Sequence, residues 1–289
     1  MEQFTFHAPN NLSDVFALLD EYEYDAKLIA GGTSLVTFMK QQLVQPEQLI
    51  HLGKIDALRG VERVGDELHV GALTTYRDLE THPLALELVP QIGEVFGHVA
   101  TVRIREVATI GGGLGQGDPA QDGPGLWLLL GAQMVLASSS GERLVPAAEF
   151  FDDYYTTVLE PNEVLTGLRI PIPPPSSTFA YSKFLPRSED DYAAVSVAAL
   201  VDLDTDGTVK QARLTLGSVA PTPVWAGDLA EALVGTKPEQ QQIAEIAEAI
   251  RERVDPLDDV RGSAAYKTEM AVVFTRRTLQ QALDRAASC

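Results

Sequence analysis

The chain has 289 residues, about two domains' worth, with 45% apolar and 22% charged residues, a globular composition that excludes fibrous, low-complexity and disordered classes. Its 41 Asp and Glu against 22 Lys and Arg leave a net charge of −19, which argues against nucleic acid or an anionic membrane surface as partner, since both recruit cationic faces. No apolar run approaches the ~20 residues of a bilayer span.

The opening stretch, Met1 to Asp20, has no basic segment followed by an apolar one, so a cytoplasmic location is expected. Ser13 is placed to cap a helix whose Val15, Phe16, Leu18 and Leu19 share a face. A short strand, Lys27 to Ala30, runs straight into glycines, and Leu35 to Leu43 has helical periodicity. Strands are expected over 67–72 and 132–137, a helix over 84–97, and a further strand over 162–170. At Ile170-Pro171-Ile172-Pro173-Pro174-Pro175-Ser176-Ser177 proline removes backbone donors and favours an extended connector, so the main boundary is expected there. Beyond it, strands over Ala193–Asp202 and Val209–Leu216 are joined by Asp204-Thr205-Asp206-Gly207, which has hairpin chemistry. Helices over 238–253 and 262–286 close the chain. Strands mixed with short helices read as α+β, and no repeat of roughly 20–50 residues is visible.

Cys289 is the single cysteine, read as an exposed thiol; an internal disulfide, a Cys-ligated zinc and an iron–sulfur cluster in this chain are thereby excluded. The five histidines, His7, His51, His69, His82 and His98, have no paired spacing, so no metal site is expected.

Two glycine-rich segments stand out. In Ala30-Gly31-Gly32-Thr33-Ser34-Leu35 a strand end meets two glycines and two hydroxyls before a helical run. Consecutive N–H groups there can cradle a phosphate without a cationic side chain, which suits an acidic protein; an ordinary strand-to-helix turn explains the same residues. The second segment, Thr109 to Asp122, has five glycines in the seven residues 111–117. That costs roughly 0.5–1 kcal/mol of backbone entropy per glycine relative to alanine and points to close backbone approach in a loop, against the plain reading of a flexible surface loop. Gly115 to Ala120 fits GxGxxA, but Asp118 and Pro119 interrupt the helix opening, so a Rossmann reading is weak. Gly112 and Gly117 have P-loop spacing, yet Asp118 stands in place of the lysine and would repel a triphosphate. Asp202 to Gly207 copies half a calcium loop, but Arg213 falls where the bidentate glutamate belongs. No GxSxG elbow supports serine hydrolysis.

Taken together, the two segments resemble the FAD-binding medium subunit of molybdenum hydroxylases, of the carbon monoxide dehydrogenase flavoprotein type. That family carries AGGT or AGGH with Ser or Asn and an aliphatic residue, then TIGGN, then PxxD; here these are Ala30 to Leu35, Thr109 to Gly113, and Pro119-Ala120-Gln121-Asp122. Pro161-Asn162-Glu163-Val164-Leu165, Lys183 and Asp191-Tyr192-Ala193 follow in the family order. The resemblance spans essentially the whole chain, with one departure: Gly113 stands where the family has asparagine.

The resemblance implies a PCMH-type FAD-binding domain over 1–174, made of two α/β lobes (about 1–56 and 57–174), and a smaller α+β C-terminal domain over 175–289 with an antiparallel sheet and helices. It implies FAD in a cleft between them. Lys27, Ala30 and Leu35 would flank it, while Gly31, Gly32, Thr33 and Ser34 offer N–H groups and hydroxyls to the diphosphate. Thr109, Ile110, Gly111, Gly112 and Gly113 would bring a second set of main-chain amides to the same pyrophosphate, with Asp118 close by. Asp122 would accept from ribose hydroxyls, Leu165 pack near the adenine or flavin, Lys183 place positive charge near the flavin or diphosphate, and Tyr192 stack on the isoalloxazine. Without the resemblance, Lys183 reads as a surface lysine, Tyr192 as a core or interface ring, Leu165 as strand core and Asp122 as a helix cap.

The implied function is electron transfer within a larger enzyme. A large molybdopterin-binding subunit oxidises the substrate, a small [2Fe-2S] subunit relays electrons singly to the FAD, and the assembly is a dimer of heterotrimers. The alternatives are a self-contained flavin oxidoreductase of the same fold, or a non-catalytic assembly subunit whose flavin site has decayed, for which Gly113 is the only hint.

Overall fold

The computed structural model describes residues 3–188 and 190–288; Cys289, with its reading as an exposed thiol, lies outside the described residues. The chain opens with β1 (Thr5–His7), α1 (Leu12–Tyr22), β2 (Ala26–Ile29), α2 (Leu35–Lys40) and β3 (Gln48–His51). The strands form a parallel sheet in the order β1-β3-β2, with Phe6 opposite Leu49 and Leu28 opposite Ile50. Parallel neighbours need crossovers, which α1 and α2 supply. Val15 and Leu19 of α1 are buried with Ala26, Ile50 and Leu52. The cap of α1 is Asn11 and not Ser13: the extended backbone at Asn11 aims its side-chain oxygen at the Asp14 N–H, 2.9 Å away, and Ser13 becomes the second helical residue. Gln42, at φ +61°, ends the next helix before Leu43.

There follow β4 (Val61–Val64), β5 (Glu67–Gly71), α3 (Tyr76–Thr81), α4 (Pro83–Leu88), α5 (Gln91–Phe96), α6 (Val102–Arg105), α7 (Ile110–Gln116) and α8 (Gly123–Leu130). Then come β6 (Gln133–Ser138), β7 (Gly141–Pro146), α9 (Ala147–Phe150), β8 (Phe151–Asp153), β9 (Thr156–Thr157) and β10 (Val164–Pro171). A five-stranded antiparallel sheet has the order β4-β5-β10-β6-β7, so the last strand in sequence lies at its centre. The expected strands over 67–72, 132–137 and 162–170 are β5, β6 and β10. The edge strands β4 and β7 are mostly exposed and lack an apolar alternation to read. The single helix expected over 84–97 is two, α4 and α5. Pro90 has no N–H to continue the ladder and drives Val89 out of helical geometry, to φ −140° and ψ 68°. The glycine-rich stretch expected as a loop contains the helix α7, capped by the Thr109 hydroxyl on the Gly112 N–H at 3.1 Å.

After the proline-rich connector come β11 (Thr178–Phe184), β12 (Val195–Leu203), β13 (Val209–Gly217), β14 (Val224–Trp225), α10 (Gly227–Ala230), α11 (Gln240–Ala249) and α12 (Ala264–Ala287). The strands form an antiparallel sheet in that order. Every residue of β12 but Leu203 is buried, because both faces of the strand are covered. Val195, Val197, Ala199 and Val201 share a core with Ile243, Ile246, Ala271 and Leu279 of the closing helices. Ala198 and Leu200, on the opposite face, share one with α8, all of whose residues are buried.

Candidate functional site

The first glycine segment is the turn from β2 into α2. Gly32 takes φ +70°, a backbone region that side chains disfavour. A Cβ on Gly31 would lie 1.9 Å from the Val107 carbonyl oxygen, so only glycine lets the turn rest on the chain leading into the second segment. The N–H groups of Gly31, Gly32, Thr33 and Ser34 have no protein acceptor among the described residues. Four donors in succession, free at a helix start, are what an anion needs.

The second segment is held along residues 72–76. Gly111 N–H donates to Ala72 O at 2.8 Å, Ile110 N–H to Thr74 O at 3.0 Å, and Tyr76 N–H to Ala108 O at 2.9 Å. Gly112 N–H is used by Thr109 Oγ1 and Gly113 N–H by Thr109 O at 2.9 Å. The amides of 110–113 are therefore spent inside the protein, contrary to the expectation that both segments offer N–H groups to one pyrophosphate. What these glycines supply is proximity. A Cβ on Gly111 would meet Ala72 Cβ at 2.6 Å, and one on Gly112 would lie 4.0 Å from Ala30 Cβ. The two segments, far apart in sequence, touch.

They open on a cavity of about 1070 Å³ between the lobes and the C-terminal unit, slightly larger than the roughly 300–1,000 Å³ usual for small-molecule sites. Of the residues singled out from the sequence, Ile110 and Asp118 do not line it; all the others do. Ile110 points into the core instead. Asp118 folds back on its own turn, accepting from the Ala120 N–H at 2.9 Å, and burial raises its carboxyl above the ordinary value.

Asp122 and Lys183 meet each other across the cavity wall. Lys183 Nζ lies 2.9 Å from Asp122 Oδ2 and donates also to His98 O at 2.8 Å, while Tyr181 donates to Asp122 Oδ1 at 2.6 Å. Both side chains of the ion pair are only 3% exposed. Burial lifts the Asp122 carboxyl above its usual range, and the Lys183 charge and the Tyr181 hydroxyl oppose that. The pair is close to neutral, so Lys183 does not bring an uncompensated charge, and both Asp122 oxygens already accept one bond. Tyr192 stands at the mouth with the Arg261 guanidinium 5.8 Å from its ring centroid. Tyr76, Gln121 and Tyr181 escaped the sequence reading. Thr75-x-x-Asp78, which forms a capping box, was the one signal that could have placed Tyr76 at a helix start.

Free main-chain donors at a strand-to-helix turn, a glycine helix pressed against them and a long cavity between domains define a protein that holds a bulky anionic cofactor. FAD fits these residues, since its diphosphate needs donors and no net positive charge. A family profile described as "FAD binding domain in molybdopterin dehydrogenase" matches residues 2–173, and one described as "CO dehydrogenase flavoprotein C-terminal domain" matches 180–282. The carbon monoxide dehydrogenase medium chain of Afipia carboxidovorans is 38% identical over 286 residues, covering 98% of each chain. Two solved structures superpose closely. Carbon monoxide dehydrogenase from Hydrogenophaga pseudoflava gives a TM-score of 0.95 at 36% identity over 98% of each chain. Quinoline 2-oxidoreductase from Pseudomonas putida gives 0.93 at 33% identity over 99% of this chain and 98% of that one. The chain belongs to the PCMH-type FAD-binding medium-chain family of carbon monoxide dehydrogenases and molybdenum hydroxylases. It is the flavoprotein, electron-transfer subunit of a multi-subunit molybdenum-dependent oxidoreductase.

Proposed function

We propose that FAD lies in the 1070 Å³ cavity with its diphosphate on the free N–H groups of Gly31 to Ser34, and that this chain carries electrons between a small [2Fe-2S] subunit and an external acceptor. When bound, FAD supplies both one- and two-electron redox chemistry, which joins single-electron input to two-electron output. The four unpaired donors opposite α7 carry this reading. Around them the chain's own residues act by position: α7 closes the floor, the Asp122–Lys183 pair offers polar contacts without net charge, and Leu165 and Tyr192 give apolar and aromatic surface to the rings. The substrate belongs to a large molybdopterin subunit, in a dimer of heterotrimers located in the cytoplasm. The relatives support a substrate site elsewhere, because one fold at similar identity serves enzymes named for carbon monoxide and for quinoline.

Gly32→Val tests the diphosphate assignment. A β-branched residue is a poor fit at φ +70°, and its Cβ would meet Ile29 Cδ1 at 3.1 Å. The purified wild-type complex carries ~1 FAD per copy of this chain; in the variant flavin absorbance falls to less than about half while far-UV dichroism is kept. Full flavin content in the variant rejects the assignment, and a folded wild-type complex free of flavin rejects the function. Native mass spectrometry tests the stoichiometry, and cell fractionation the compartment.

A further inference from the structure

The place left by the missing side chain at Gly113 is filled by another residue. A Cβ there would lie 1.9 Å from the Tyr76 hydroxyl oxygen, 2.9 Å from Gln121 Oε1 and 3.1 Å from Tyr76 Cζ. Tyr76 cannot swing away. It is the first residue of α3, behind the Thr75–Asp78 capping box; its N–H is bound to Ala108 O, and Thr75 bridges Thr109. Its ring packs edge-on against the buried Phe96 at 5.0 Å. The backbone ladder that fixes α7 thus also fixes this hydroxyl.

The hydroxyl is poorly used by the protein. Gln121 Nε2 donates to Gly113 O at 3.0 Å, which orients Oε1 toward Tyr76, yet the Tyr76 hydroxyl reaches that oxygen only at 3.4 Å, beyond the 2.5–3.0 Å of a good O–H···O bond. Tyr76, Gln121 and Gly113 all line the cavity beside the free N–H groups of the first turn. We propose that the Tyr76 hydroxyl is a cofactor-binding group, fixed over Gly113 by its backbone and by Phe96, which gives up its long bond to Gln121 Oε1 and donates its one proton to an oxygen of bound FAD, so that Tyr76 supplies the polar contact that no side chain at position 113 can make. Burial, with Tyr192, Asp122 and Asp118 nearby, raises the phenol above its ordinary value, so it stays a neutral donor and adds no charge facing a diphosphate. A glycine at 113 is then a requirement of Tyr76 and not a sign of decay.

This inference rests on the FAD reading above. The test uses the full chain stripped of flavin and titrated with FAD, following quenching of flavin fluorescence, with thermal unfolding of each apoprotein measured in parallel. Tyr76→Phe is expected to raise the FAD dissociation constant about tenfold, the loss of one hydrogen bond to a charged or strongly polar group, while the apoprotein melts as wild type does. Gly113→Ala is expected to weaken FAD binding strongly in the wild type and markedly less in the Tyr76→Phe background, where the oxygen in its way is gone. An unchanged dissociation constant for Tyr76→Phe, or strictly additive effects of the two changes, overturns the proposal. Failure of the wild-type chain to take up FAD instead overturns the reading beneath it, and the two failures are told apart by the wild-type titration.

Discussion

Asp259 shows how a single residue far from the glycines supports the mouth of the cleft. Its carboxylate lies 2.9 Å from the ammonium of the buried Lys267 and 2.7 Å from Arg261, whose guanidinium reaches over Tyr192. Burial by itself would raise this acid; the hydrogen bonds from Lys267 and Arg261 win and hold it at about 2. A depressed carboxyl stabilises the fold fully above its unfolded value near 4 and loses that contribution as the pH falls toward 2; solvent screening of this exposed residue reduces it to about 1 kcal/mol. Urea unfolding should therefore lose more stability between about pH 4 and pH 2 in the wild type than in Asp259→Asn, which lacks the titrating group. At neutral pH the variant should be less stable by about 1–2 kcal/mol, because the buried Lys267 keeps an amide oxygen and the Leu257 carbonyl at 2.8 Å as acceptors but loses its counter-charge. Parallel pH profiles for the two proteins would remove Asp259 from this role.

At the scale of elements, α7 is a helix written against helix propensity. Glycine in a helix interior costs about 1 kcal/mol relative to alanine, so Gly111→Ala in an isolated helix would stabilise. Here the sign reverses. The added carbon would meet Ala72 Cβ at 2.6 Å and the Ala72 carbonyl oxygen at 3.0 Å, and overpacking of that kind costs typically 1–3 kcal/mol. Denaturant unfolding of Gly111→Ala should show a loss within that range, with lower flavin content; a gain in stability would show that α7 can move off Ala72 freely. The element was illegible beforehand for the same reason. Its glycines exist for contact with Ala72, Ala30 and Tyr76, partners that no local pattern names, whereas Pro90, a strictly local breaker, accounts for the missed division of α4 from α5.

Across the whole molecule, α8 joins the two parts of the chain. It is buried on every side, with Thr215 Oγ1 donating to Gly125 O at 2.9 Å and Arg213 to Leu129 O at 3.0 Å. One core runs from Leu126 and Trp127 to Phe179, Ala198 and Leu200 across the proline-rich connector. Calorimetry of the intact chain should show a single cooperative transition, and residues 1–174 expressed alone should aggregate through the uncovered face of α8. Two resolved transitions, or a monomeric and folded 1–174 fragment, would contradict this. The same geometry reconciles a charge of −19 with an anionic cofactor, because attraction comes from local main-chain dipoles and not from the field of the whole protein.

Chain order alone determined the α+β class, the family, the position of the first glycine turn at a strand end and most of the buried strands, because these rest on short-range periodicity and on motifs whose spacing is covalent. Tertiary structure decided the rest. It turned the second glycine run from a donor loop into a packing helix, coupled Lys183 to Asp122, sent Ile110 and Asp118 away from the cavity, and brought Tyr76 over Gly113. Each of these depends on which atoms come within a few ångströms after folding, and residues tens of positions apart carry no local mark of the neighbour that will use their hydrogen bonds or fill their space.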